Sequence, residues 1–386
     1  DYTENIVHMV LARIEGAPAG VKGVSLFIVP KINVKADGSL GARNEGKCLK
    51  IEEKLGIHAS PTCVMQYGET EGAVGYLVGE ANRGLEYMFV MMNAARLSVG
   101  LEGYAVSERA FQQALAWARD RVQGKPPVVN DSGKPLAIAH HPDVKRMLLT
   151  MKSLTEAMRA LALYAAFQLD LAAHAPEEKA RAAAQARADL LIPIVKGWST
   201  ETGIEIASLG VQVHGGMGYV EETGAAQYYR DVRITTIYEG TTGIQSNDLI
   251  GRKIGRDRGM AMAALITEAS NELETTDAGS AREGLALLRD ATGSLLQSLA
   301  ADPARAFAVS VPFLKLSGIV LGGWLMARSG AVASAKLGAG GDREFLEGKV
   351  RTARFYAENI LPQAHALSRI VKSGAASIVE TDAALL

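Results

Sequence analysis

Near Leu85 the hydrophobic period of this chain changes from two to between three and four, and it stays helical from there to the C-terminus. That single switch predicts a short β region followed by a long all-helical one. Before it, Val7 to Arg13 and Val24 to Val29 are strand-like and rich in β-branched residues. Cys48 to Glu53 and Thr62 to Tyr67 continue the pattern, with Gly, Asn and Pro marking the turns. After it, Leu85 to Val122 carries apolar residues at three- and four-residue spacing. Gly124 to Pro135 is a loop by composition. Pro142-Asp143 opens a helix reaching about Ala173, and Pro176-Glu177-Glu178 starts another that runs to Gly210. With a fourth helix after Thr241, a four-helix bundle is the natural architecture. A more polar stretch from Asn271 to Glu283 precedes helical patterns at Glu283 to Leu299, Ala304 to Arg328 and Asp342 to Ser373.

The expected fold is therefore α+β: a partial β-barrel domain (1–80), a four-helix bundle (81–255) and a C-terminal helical extension (256–386). The opening Asp1-Tyr2-Thr3-Glu4-Asn5 leads straight into the first strand-like segment. This reads as entry within a domain, which is compatible with an upstream targeting sequence. The apolar run Leu316 to Ala327 is shorter than the roughly 20 residues a membrane span needs, which predicts a buried helix, with a peripheral membrane contact as the alternative. With 41 basic and 42 acidic residues the formal net charge is −1, which offers no field for nucleic acid. Cys48 and Cys63 lack metal-ligand spacing and make no disulfide framework; a cytoplasmic setting fits, with both thiols buried in the β-domain. No histidine pair has helical metal spacing, so no metal is expected. His140-His141 precedes a proline and suits a helix entry.

Two motifs carry chemistry. In Tyr238-Glu239-Gly240-Thr241-Thr242 a carboxylate sits at a loop-to-helix junction, beside a glycine that permits a tight turn. Such a group can act as a base next to an oxyanion-binding amide. The plain alternative is an acidic residue favoured at a helix N-terminus. The second is Gln212-Val213-His214-Gly215-Gly216-Met217-Gly218-Tyr219, whose paired glycines allow close approach of a ligand to the backbone. The plain alternative here is a glycine-rich turn between helices. His-Gly-Gly is also similar to the oxyanion loop of some lipases, but the Gly-x-Ser-x-Gly elbow that reading requires is missing.

Taken together, these strings resemble the acyl-CoA dehydrogenases. Gln212 with Gly215, Gly216, Gly218 and Tyr219, then Arg230-Asp231, then Tyr238 to Thr241 follow that family's order and spacing. Lys54 to Thr62 looks like its β-domain signature, and Gly79-Glu80 with Gly84 its passage into the bundle. The resemblance covers about residues 1 to 255, and the extension resembles a subgroup of larger bacterial members that includes the 3-(methylthio)propionyl-CoA dehydrogenases.

The resemblance implies FAD-dependent α,β-dehydrogenation of an acyl-CoA thioester, with Glu239 as the base. Thr241 is expected near the flavin, while Gln212, Gly216 and Arg121 are expected to reach a neighbouring subunit's FAD. Glu239, Gly240 and Arg96 are expected to border substrate, and Ala95 stands where some relatives keep the base. Further implications are a homo-oligomer, with a dimer favoured, an electron-transfer flavoprotein as acceptor, a role in fatty acid metabolism and β-oxidation, and an N-terminal helical domain that this chain does not contain. Two departures touch the flavin contacts: Arg121-Val122-Gln123-Gly124 lacks an aromatic, and Gly243 stands where a glutamine is frequent. The rival readings are an acyl-CoA oxidase and a non-catalytic or DNA-binding relative on the same scaffold.

Overall fold

The computed structural model describes residues 3–127 and 135–386. Most of the predicted Gly124 to Pro135 loop therefore lies outside the described residues. The chain divides into two compact units, 1–95 and 96–386. About 68% of it is helical, and the architecture is α+β.

Among the described residues, the first unit holds three small antiparallel sheets and no closed barrel. Strands β1 (Val7–Arg13) and β2 (Val24–Pro30) pair along their full length, from Val7 opposite Pro30 to Arg13 opposite Val24. Two short strands, β3 (Ile32–Val34) and β4 (Leu40–Arg43), form a hairpin. A ribbon follows, β5 (Gly46–Ile51) against β6 (Cys63–Tyr67), with an irregularity between Cys48 and Lys50. β7 (Tyr76–Leu77) adds to the far edge of β2. Two polar side chains fix the turns. Asn44 donates to the carbonyls of Pro30 and Val74 and accepts from the N–H of Val74. Glu45 accepts from four successive backbone amides, Glu69 to Gly72, at 2.6–2.9 Å.

The expectation that Cys48 and Cys63 are buried is wrong: both are exposed. They stand on the two-stranded β5–β6 ribbon, where β5 is exposed over nearly its whole length. The Cys48 thiol donates to the Lys50 carbonyl oxygen at 3.5 Å, and its presence beside Cys63 pushes the Cys63 thiol up. They border a cavity of about 350 Å³ together with His8, Asn44 and Tyr67. No carboxylate lines it.

Helix α1 (Gly84–Asp120) crosses the division between the units. In the second unit α2 (Pro142–His174) and α3 (Glu178–His214) pack side by side after a three-residue link. Gly103 lets α1 and α3 touch backbone to backbone, since a Cβ there would lie 2.6 Å from the Ser199 carbonyl oxygen. After α4 (Ala225–Val232) and α5 (Thr242–Asn247), a π-helical segment (Asp248–Ile254) leads to the remaining helices. These are α6 (Met260–Leu273), α7 (Gly279–Ala301), α8 (Pro303–Ala308), α9 (Ser310–Gly338), α10 (Arg343–Asn359), α11 (Gln363–Ser373) and α12 (Ala375–Val379).

One buried cluster runs from Met151, Met158 and Leu161 on α2 through Leu191, Ile194 and Trp198 on α3 to Ile319, Val320 and Trp324 on α9. Helix α9 contains the apolar run read from the sequence. By length and composition it could cross a bilayer, but 78% of its most apolar window is buried inside the protein. Its polar needs are met internally: Trp324 Nε1 donates to Glu272 at 2.8 Å, and the Ile319 carbonyl accepts from Tyr356 at 2.9 Å. Two helices predicted as continuous are interrupted. Val309, at φ −108°, separates α8 from α9. Pro362 follows the end of α10, where its missing N–H cannot continue the ladder.

Candidate active site

The loop between α4 and α5 carries two successive residues in the left-handed region, Glu239 at φ 55° and Gly240 at φ 95°. Glycine adopts this conformation freely; a glutamate does so at a cost of order 1–3 kcal/mol. Such strain persists only where the surroundings over-determine it. Here they do. Lys196, fully buried on α3, donates to the Gly240 carbonyl at 2.6 Å. The buried Gln245 amide donates to the carbonyls of Glu239 (3.1 Å) and Gly240 (3.3 Å). Thr241 caps α5 by accepting from the N–H of Ile244, and Thr242 donates to Glu201 at 2.5 Å. Tyr238 donates to Glu102 on α1. Burial, and then that carboxylate, hold the Tyr238 phenol well above the usual tyrosine range.

Within this frame the Glu239 carboxylate is left with work to do. Its Oε2 is buried and has no hydrogen-bond partner, and neither has Oε1 of Gln245. A buried unpaired acceptor costs about 1–3 kcal/mol, which a bound group that donates to it or yields a proton would recover. Arg96 and Asp248 make a buried ion pair at 3.0 Å close by, and Arg252 closes on the other Asp248 oxygen at 2.6 Å. Lys196 interacts with Arg96, Glu201, Glu239 and Glu102. Burial and Arg96 push its ammonium down, the three carboxylates draw it up, and it settles at about 8.

Of the residues singled out from the sequence, Glu239, Gly240 and Thr241 are contiguous, and Arg96 lies near enough to Lys196 for its charge to push that ammonium down. Gln212, Gly216 and Arg121 are elsewhere. From Lys196 to Gln212 helix α3 climbs about 24 Å. At that far end His214 stacks on Trp117 (5.2 Å between ring centres), joining the ends of α3 and α1. Its Nδ1 lies 2.7 Å from the Gly210 carbonyl oxygen. Gly215 and Gly216 face open space, since nothing lies within 4 Å of where a Cβ would stand. Gln212 and Arg121 are exposed. His141 occupies the N-cap position of α2, with its ring against the Gln123 carbonyl at 2.9 Å. Among the described residues no cluster of metal-ligating side chains occurs.

Sequence reasoning passed over Lys196, Gln245 and Asp248. A signal existed for the first: a lone lysine inside Leu190 to Trp198, an otherwise apolar run. Lysine is almost never fully buried without a partner.

Two family models match the chain, acyl-CoA dehydrogenase, C-terminal domain, over residues 82–254, and acetyl-CoA dehydrogenase C-terminal like, over residues 261–382. The chain is 50% identical to the 3-methylmercaptopropionyl-CoA dehydrogenase of Ruegeria pomeroyi, over 97% of its own length and 64% of that protein's. The chain belongs to the acyl-CoA dehydrogenase family.

A broad-specificity linear acyl-CoA dehydrogenase, FadE5 of Mycobacterium tuberculosis, is 36% identical over the whole chain, which covers 66% of that relative. The chain thus spans about two thirds of the length of the acyl-CoA dehydrogenases it matches. In fold it is similar to Caenorhabditis elegans ACDH-11, solved in complex with C11-CoA (TM-score 0.74, 21% identity, 98% of this chain and 61% of that one). An acyl-CoA dehydrogenase from Bacillus anthracis, complexed with FAD, is as close (TM-score 0.74, 20% identity, 98% and 62%).

Proposed function

We propose that this chain supplies the base-bearing part of an FAD-dependent enzyme that converts an acyl-CoA thioester to its trans-2-enoyl-CoA. The observation that carries the reading is the unpartnered, buried Glu239 oxygen on a backbone forced left-handed by Lys196 and Gln245. A thioester α-proton is far too weakly acidic for a solvated carboxylate. Desolvation makes the carboxylate a stronger base, and a hydrogen bond to the thioester oxygen acidifies the carbon. Glu239 takes the α-proton on its free oxygen, and its own backbone N–H polarises the thioester carbonyl. The β-hydrogen leaves as hydride. FAD, when bound, supplies the acceptor for it.

The residues present fit that cofactor. Thr241 is exposed beside the base. Gln212, Gly216 and Arg121 offer an amide, a bare backbone and a cation at the opposite end of α3. A span of about 24 Å suits contacts to two different cofactor molecules. This favours a homo-oligomer in which each FAD is shared, with a dimer as the simplest form. An electron-transfer flavoprotein is the proposed acceptor of the electrons. A more distant relative, 29% identical over 60% of this chain, is the CarC subunit of a caffeyl-CoA reductase-Etf complex in Acetobacterium woodii. The substrate class proposed is a short thioether acyl-CoA, from the similarity to the Ruegeria pomeroyi enzyme. A cytoplasmic setting is proposed because the two cysteines make no disulfide framework.

The test is anaerobic mixing of the FAD-loaded protein with acyl-CoAs of graded length, including 3-methylmercaptopropionyl-CoA, while following flavin absorbance. Bleaching is expected, slowed by roughly 10²–10⁴-fold or more in Glu239→Gln. Full-rate bleaching in that variant would remove Glu239 from the reaction.

A further inference from the structure

Lys196 is the buried titratable group for which the proposed reaction has no stated use. It is fully buried, between the glycine-lined α1 contact and the α9 side chain Leu314, which lies 2.7 Å from where a Cβ at Gly197 would stand. No surface role explains a lysine there, and burying an ammonium is costly unless something needs its charge. Its amine is spent on one backbone atom, the Gly240 carbonyl oxygen, immediately after Glu239. That bond holds the peptide whose orientation makes the left-handed pair possible. We infer that Lys196 is the positioning residue of the base: its ammonium pins the Glu239-Gly240 backbone and sets a positive charge beside the Glu239 carboxylate. The inference rests on the reading of Glu239 as the base.

The charge balance supports this role. The groups facing Lys196 are Arg96 and Glu102 from α1, Glu201 from α3 and Glu239 from the loop. Arg96 is already engaged by Asp248, and Arg252 reinforces that pair. Glu102 accepts from Tyr238 and Glu201 from Thr242. Tyr238 and Thr242 are neutral donors, so Glu102 and Glu201 keep their charges and share Lys196 with Glu239. Of these three carboxylates, Glu239 is the one with a buried oxygen to which no group donates. Lys196 loses its proton at about 8, so its charge is present at neutral pH and disappears just above it.

Two linked measurements test this. The first needs neither cofactor nor turnover: 15N-lysine NMR of the full chain, titrated with pH, with the Lys196 signal assigned by its loss in Lys196→Gln. A midpoint near 8 is expected, moving to lower pH in Glu239→Gln because a favourable charge has gone. An unmoved midpoint would show that the two groups do not interact, and would overturn the inference.

The second is the pH profile of α-proton removal by the FAD-loaded protein, read as exchange of the acyl-CoA α-hydrogen with deuterium. Wild type should lose rate above about pH 8. Lys196→Arg, which keeps its charge, should lose that alkaline limb while retaining activity. Lys196→Gln should be slower by about 10-fold or more at pH 7 and should show no alkaline limb. An unchanged profile in Lys196→Gln, with Glu239→Gln inactive, would refute the role of Lys196 and leave the base assignment standing. Exchange that survives in Glu239→Gln would refute the base assignment instead, while the NMR coupling still reports on the pair.

Discussion

Gly318 on α9 sits against the indole of Trp198 on α3, and Gly318→Ala measures how tightly the two helices are locked. A Cβ at Gly318 would lie 2.2 Å from Cγ of Trp198, 2.4 Å from Cδ2 and 2.7 Å from its Cβ. Ordinary carbon contacts are about 3.5–4.0 Å, so three atoms are overlapped by roughly 1 Å or more. The indole cannot swing away: it is 1% exposed, and a Cβ at Gly322 would meet its far edge at 2.8 Å. Helix α9 must therefore withdraw by about 1 Å, opening gaps along the whole contact. Overpacking alone costs about 1–3 kcal/mol and occasionally more, and the lost contacts put this site at about 3 kcal/mol. With an unfolding entropy of about 2.1 cal/mol/K per residue, a chain of 386 residues shifts by roughly 1.2 °C per kcal/mol, so the melting temperature should fall by about 4 °C. Differential scanning calorimetry of the full chain, beside urea unfolding, measures it. Gly293→Ala is the control, because a Cβ there meets nothing within 4 Å on helix α7. It should stabilise by about 0.5–1 kcal/mol. If Gly318→Ala melts within about a degree of wild type, the close packing of α3 on α9 is not what the geometry implies.

Asp248→Asn strands a buried Arg96 charge and should cost about 3–5 kcal/mol in urea unfolding, whereas Asp248→Asn combined with Arg96→Met should recover much of the loss. The Glu45 clasp gives a pH signature. Hydrogen bonding, above all from the Thr70 amide, holds its carboxyl down at about 2 against an ordinary 4.5. A depressed folded value means that its stabilising effect is present above pH 4.5 and is lost as pH falls towards 2. Hydrogen exchange at residues 69–72 should accelerate over that window, and Glu45→Gln should remove the pH dependence.

The sequence announced its long periodic elements clearly and its short ones poorly. Val7–Arg13 was read to the residue because seven successive positions suit an extended chain. The strands Ile32–Val34 and Tyr76–Leu77 were too short to show any period. The helix predicted over Ala304 to Arg328 is interrupted at Val309, where the break places the Ser310 hydroxyl 3.0 Å from that of Ser246. Periodicity has no way to register such a tertiary hydrogen bond. At the site, Glu239 could be found because its local string is distinctive. Lys196 and Gln245 act from inside helices, and their targets are backbone carbonyls 44 and 5 or 6 residues away. Nothing in a linear string marks a side chain that serves a peptide bond elsewhere in the fold.

The π-helical stretch from Asp248 to Ile254 has a consequence for how this protein can vary. A π segment carries more residues per turn than the α-helix around it, as if a residue had been slipped in. Removing one residue there would let the stretch relax into an ordinary helix, a local gain. It would also rotate Asp248 away from Arg96 or carry the Leu249, Ile250 and Ile254 side chains out of the core. The residue count of this stretch is therefore fixed by the side chains it places. A gap in an alignment of close relatives at these positions should therefore coincide with loss of the buried arginine–aspartate pair.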